Sequence, residues 1–122
     1  VSNTLNNVIV GKDCMTLTTS SQNNMIFGSN NLQDLNPDGN DGNNICLGRL
    51  VMQKLRSGTY NCGFGVNVLS ILFNGSYNTA LGINAGSGIY NGNYNTFLGT
   101  NTSSSGGSFN QSTCVGFGST LT

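Results

Sequence analysis

A short apolar run closed by glycine recurs along the chain: NVIVG at 7–11, NMIFG at 24–28, NICLG at 44–48 and NCGFG at 61–65, then NTALG at 78–82, NTFLG at 95–99 and STCVG at 112–116. The closing glycines, Gly11, Gly28, Gly48, Gly65, Gly82, Gly99 and Gly116, are spaced 17, 20, 17, 17, 17 and 17 residues apart. A fixed period with one or two short extended segments per copy predicts an all-β, parallel β-solenoid of about seven rungs. The repeat fills 1–122 as a single domain, with an enlarged loop at 29–43 that takes up the three extra residues.

The columns of the repeat carry the structural expectations. One residue before the glycine stand Val10, Phe27, Leu47, Phe64, Leu81, Leu98 and Val115; three before it stand Val8, Met25, Ile45, Cys62, Thr79, Thr96 and Thr113. Positions two apart on a strand share a face, and these two columns are expected to face the interior of the coil, with Thr79, Thr96 and Thr113 replacing core aliphatics. The column between them, Ile9, Ile26, Cys46, Gly63, Ala80, Phe97 and Cys114, is expected to face outward. Because it too is mostly apolar, it is assigned to contacts with identical subunits, since a strand apolar on both faces is covered on both.

Four residues before the glycine the column reads Asn7, Asn24, Asn44, Asn61, Asn78, Asn95 and Ser112. Asn suits a corner because it tolerates left-handed dihedrals, and stacked Asn forms amide ladders in cross-β arrangements. The glycine that follows supplies a positive φ or room for a close backbone approach. A second, weaker extended run is expected just after it, centred on Asn30, Asn67, Asn84 and Asn101. Tyr60, Tyr77 and Tyr94 share a column in which successive rungs bring their rings together about 4.8 Å apart. Gly and Asn argue against helix throughout; the exception is RLVMQKLR at 49–56, read as one or two helical turns or an elaborated loop.

Composition narrows the function. Gly (18) and Asn (21) make up about a third of the 122 residues, and there is no His, Trp or Glu. Only 7% of residues are charged, the net charge is zero, and Ser57 to Thr122 carries no charged side chain. That leaves no electrostatic footprint for nucleic acid. No apolar run approaches the roughly 18 residues of a bilayer span, and the chain does not open on a basic region followed by an apolar stretch. Without His or Glu, and with no GxSxG elbow, nothing is arranged for acid–base or nucleophilic catalysis, so no enzyme is expected. GFGV at 63–66 and GSGIYNG at 86–92 read as repeat corners, because no helix follows them to supply the dipole of a phosphate loop.

The segments NGSYNTALGINAG at 74–86 and NTALGINAGSGIYNGNYNTFLGTNT at 78–102 resemble the NTAxGxxAG-type repeats of phage and bacterial tail-fibre proteins. They are also similar to the head β-roll of trimeric autotransporter adhesins. The resemblance implies a left-handed β-roll, three chains about one axis, and an attachment role on a virion or cell surface; the uncharged polar surface with Tyr and Asn suits a surface glycan or receptor as partner. It is close from Asn61 to Asn101; the first three copies depart from it at Lys12, Arg49 and the insertion.

Four further features have competing readings. Cys14, Cys46, Cys62 and Cys114 fall in positions that cannot pair, which favours free thiols acting as small apolar residues. In DLNPDGNDG at 34–42, Asp34, Asn36, Asp38 and Asp41 match the start of an oxygen-donor calcium loop. A turn around Pro37–Gly39 explains the same residues, as do ion pairs with Arg49, Lys54 and Arg56. The Thr column also admits a second function, a monomeric ice- or lattice-binding solenoid. Three N-x-S/T sequons, at Asn74, Asn101 and Asn110, arise readily in a chain of this composition.

Overall fold

A computed structural model describes residues 5–17, 20–36 and 41–122. The chain winds as a parallel β-solenoid of about six turns, and no helix occurs among the described residues. Seven strands stack into the main sheet: β1 (Val8–Lys12), β2 (Met25–Ser29), β3 (Ile45–Arg49), β4 (Cys62–Val66), β5 (Thr79–Ile83), β7 (Thr96–Leu98) and β10 (Thr113–Val115). All pairs are parallel and hold one register, so each repeat glycine from Gly11 to Gly82 sits on the next. Two small sheets line the other sides of the late coils. One pairs β6 (Asn91–Asn93) with β9 (Ser108–Asn110); the other pairs β8 (Ser103–Ser104) with β11 (Thr120–Leu121).

The strand faces are reversed from the expectation. Ile26, Cys46, Ala80, Phe97 and Cys114 are buried inside the coil of a single chain, and Ile9 packs against the same core. The column assigned to subunit contacts is therefore the core itself. The flanking columns, expected inside, point out: Val8, Val10, Met25, Phe27, Ile45, Phe64, Leu81, Leu98 and Val115 are exposed. The Thr column points out with them. Size explains the choice. An inner column must interlock with the opposite walls, and Gly63 shows how tightly. A Cβ there would stand 2.5 Å from Val51 Cγ1 and 3.0 Å from the Met52 methyl.

The rest of the core comes from residues outside the repeat's obvious strand. Leu35, Leu55, Leu72 and Ile89 form one inner column, Val51, Val68 and Ala85 a second, and Leu32, Met52 and Leu69 a third, all fully buried. Positive φ at Asn67 (59°) and again at Leu69 (47°) turns the chain twice within three residues, which leaves both Val68 and Leu69 inside. The same dihedrals at Leu50 (57°) and Met52 (49°) exclude helical turns at 49–56, so that segment is a pair of tight turns. The second strand expected around Asn67 is this corner; extended backbone resumes only near Asn74 and Asn91.

The insertion is absorbed locally. Asn36 N–H donates to Arg56 O, a separation of 20 residues, whereas Asp41 pairs with Gly58, a separation of 17. The three extra residues are thus accommodated between Asn36 and Asp41, and Pro37, Asp38 and Gly39 lie outside the described residues.

Candidate functional site

Three features follow from stacking columns of the repeat, the first two along the whole coil and the third along its later turns. The first is a buried amide ladder. Asn7, Asn24, Asn44, Asn61, Asn78 and Asn95 are at most 1% exposed. The Asn61 Oδ1 accepts from the backbone N–H and the Nδ2 of Asn78, both at 3.0 Å, and Asn78 Oδ1 does the same for Asn95. These Nδ2 groups also donate across the coil: Asn61 to Gly75 O and Asn78 to Gly92 O at 2.8 Å, and Asn95 to Phe109 O at 2.7 Å. Ser112 closes the run by donating its N–H to Asn95 Oδ1 at 3.1 Å. The left-handed corner is not this column but the one before it, Asn6, Asn23, Asn43, Tyr60, Tyr77, Tyr94 and Gln111. Satisfied and closed to solvent, the ladder is a structural device that fixes the register of the coils.

The second feature is the outer face of the main sheet. Two columns alternate along it, and the same exposed apolar surface continues past the glycines to Val66 (39%), Ile83 (52%) and Phe117 (82%). At about 4.8 Å per rung and 3.3 Å per residue, five strands of five residues and two of three span a sheet plane of about 500 Å². That lies toward the upper end of the apolar patches found on monomers, roughly 300–600 Å².

The third is a polar groove of about 500 Å³ on the side carrying β6 and β9, lined by Asn74, Ser76, Asn91, Asn93, Ser108 and Asn110 among others. Amide rows climb it: Asn74 Nδ2 donates to Asn91 Oδ1 at 3.2 Å, and Asn93 Nδ2 to Asn110 Oδ1 at 3.2 Å. Aromatic columns flank these rows in the chain. Tyr60, Tyr77 and Tyr94 stack at centroid distances of 5.0 and 4.8 Å. On the other flank the Arg56 guanidinium caps Phe73 at 4.9 Å, and Phe73 stacks on Tyr90 at 5.4 Å. No protein-family model, curated protein or solved structure matches the chain.

The charged and sulfur groups are scattered by comparison. Asp34 Oδ2 takes Lys54 Nζ at 3.2 Å in an exposed pair, worth about 0–1 kcal/mol. Asp41 Oδ1 accepts from Gly58 N–H at 3.1 Å and Ser57 Oγ at 3.3 Å. Asn36 lines a separate depression with Asp34, Arg56 and Phe73, and Asp38 lies outside the described residues. Among the described residues no three His, Cys, Asp or Glu side chains come together around a metal position. The cysteines are free thiols; burial, then the neighbouring Cys14 and Cys62, pushes the Cys46 thiol well above its usual range. GFGV lies wholly within β4, and Gly86 of GSGIYNG sits in a left-handed turn against Leu69 and Phe97.

The sequence pointed to stacked Asn and Tyr columns but not to the groove. Its signal was present, however: Asn74, Asn91 and Ser108, like Ser76, Asn93 and Asn110, recur at 17 residues on a part of the repeat away from the glycine strand.

Proposed function

We propose that the chain is a non-enzymatic attachment-fibre segment that assembles with copies of itself, three about one axis, on a virion or cell surface. The observation that carries this reading is the outer face of the main sheet. Nine large apolar side chains stand exposed there in regular columns, on a chain that is otherwise rich in Asn, Ser and Gly. Burying apolar surface at about 25 cal/mol per Å² drives such a face into association. Its plane of about 500 Å² falls short of the roughly 800 Å² per partner of a standard interface. The continuation to Val66, Ile83 and Phe117 adds surface for a second neighbour, as a closed ring requires. The resemblance to tail-fibre repeats accounts for three-fold rather than two-fold closure.

Solution mass tests the proposal. Light scattering at micromolar concentration is expected to give three times 12.7 kDa. Leu81→Lys, which adds a charge to the outer face without touching the core, is expected to give the monomer. A wild-type monomer overturns the reading.

One observation favours a second reading, an ice- or lattice-binding monomer: Thr79, Thr96 and Thr113 pair in register on the outer face rather than in the core. Three rungs of Thr beside a Leu/Val column make a short rank, and Ile45, Met25 and Val8 interrupt it below. Thermal hysteresis from a monomer would establish this reading in place of the first.

A further inference from the structure

The aromatic column on the groove's edge is incomplete. Arg56, Phe73, Tyr90 and residue 107 occupy one position in four successive rungs, tied by backbone bonds from Arg56 N–H to Phe73 O, Phe73 N–H to Tyr90 O, and Tyr90 N–H to Gly107 O. The guanidinium covers one face of Phe73, and Tyr90 covers the other. Above Tyr90 the next rung carries glycine, and a Cβ built on Gly107 meets no atom within 4 Å. One face of the Tyr90 ring is therefore open, and the residue is 47% exposed. The tyrosine column on the other flank has no such slot in its middle, because Tyr77 is covered on both faces by Tyr60 and Tyr94.

The amide rows beside this slot also end there. Asn91 accepts from Asn74 and Asn110 accepts from Asn93 through Oδ1, while the terminal Nδ2 of each row, like the Ser108 hydroxyl, has no partner among the described residues. An amide NH₂ supplies two donors and no charge. Tyr90 directly precedes Asn91, and Asn91, Ser108 and Asn110 line the groove, so the open ring face borders the groove's unpaired donors.

We infer that this slot binds one ring of a neutral saccharide, its C–H face on Tyr90 and its hydroxyl oxygens accepting from Asn91 and Asn110. The chemistry selects the class. A sugar ring has both an apolar face and outward hydroxyls, which matches an aromatic face beside bare amide donors. A phosphate, sulfate or carboxylate is disfavoured, because no charged side chain occurs from Ser57 onward to offset its charge. Arg56, the nearest cation in the column, is engaged with Phe73 two rungs below. The inference deepens the attachment reading by naming what is attached to, but the slot lies within one chain and its binding is independent of assembly.

The test is amide and aromatic NMR of the full chain titrated with methyl glycosides of galactose, mannose and N-acetylglucosamine, with adenosine as a flat, non-sugar probe. At least one glycoside is expected to shift Tyr90, Asn91 and Asn110 saturably in the millimolar range. Tyr90→Leu is expected to weaken binding about tenfold, while Tyr90→Phe, which keeps the ring face, and Tyr77→Leu leave it within about twofold. The inference fails if no glycoside shifts these residues, if Tyr77→Leu weakens binding as much as Tyr90→Leu, or if only adenosine binds. Trimer without sugar binding removes this inference and leaves the assembly intact; a sugar-binding monomer does the reverse.

Discussion

Replacing Asn78 by alanine removes one rung of the internal amide ladder, and its cost can be worked from the bonds it breaks. Asn78 Oδ1 accepts from both the N–H and the Nδ2 of Asn95 at 3.0 Å. With alanine at 78, the backbone N–H and one Nδ2 hydrogen of Asn95, a residue 1% exposed, lose their acceptor, while the other Nδ2 hydrogen keeps Phe109 O at 2.7 Å. Asn61 Oδ1 keeps the backbone N–H of residue 78 and is not orphaned. At about 1–3 kcal/mol per buried donor left unsatisfied, the two together cost about 2–6 kcal/mol. That is a large share of the roughly 5–15 kcal/mol available to a domain of this size. Asn74→Ala is the control, because it removes a single exposed bond of 3.2 Å and is expected to cost no more than about 0.5 kcal/mol. Urea unfolding followed by circular dichroism at one chain concentration reads both, with the m-value checked because solenoid turns couple mainly to their neighbours. If Asn78→Ala lowers the midpoint no further than Asn74→Ala, the ladder does not hold the coils in register and the reasoning is wrong.

Three other substitutions probe the remaining parts of the coil. Gly82 has φ +135°, and a Cβ there would stand 2.7 Å from the Gly99 carbonyl, so Gly82→Ala is expected to cost about 2–4 kcal/mol in the same assay. Phe97→Ala, which empties a fully buried ring position, is expected to cost about 3–5 kcal/mol, whereas Leu98→Ala on the outer face costs the isolated chain far less. Cys46 keeps its proton in the fold to a higher pH than in the unfolded chain; stability is therefore complete below about pH 8.5 and declines above it. Cys46→Ala is expected to flatten that alkaline decline in a thermal-melt series, and a thiol reagent should label Cys62 before Cys46.

The period, the strand and the stacking of like residues were legible because a solenoid writes each column of its structure into a column of its sequence. Which face looks inward was not, because both faces of the strand are apolar and a one-residue choice exchanges them. Two clues pointed the right way. Gly63 and Ala80 stand in one column with Phe97, as an interlocking interior allows, and three Thr residues stand in the column that proved to be outside. The missed core column of Leu35, Leu55, Leu72 and Ile89 lies beyond two left-handed residues, where strand alternation no longer reports on burial. The groove was missed because its residues are individually ordinary. The slot over Tyr90 exists only because residue 107 is the one member of its column, from Arg56 onward, without a side chain.

Access of a soluble paramagnetic probe to the methyl groups of Leu81, Leu98 and Val115 tests most directly whether copies of the chain cover the outer sheet face. The assembled protein should keep these methyls sharp while the Tyr60 and Tyr94 ring signals broaden, and Leu81→Lys should expose Leu98 and Val115. Methyl signals that broaden in the wild-type chain as strongly as those tyrosines would mean that the face meets water, and self-assembly through it would be refuted.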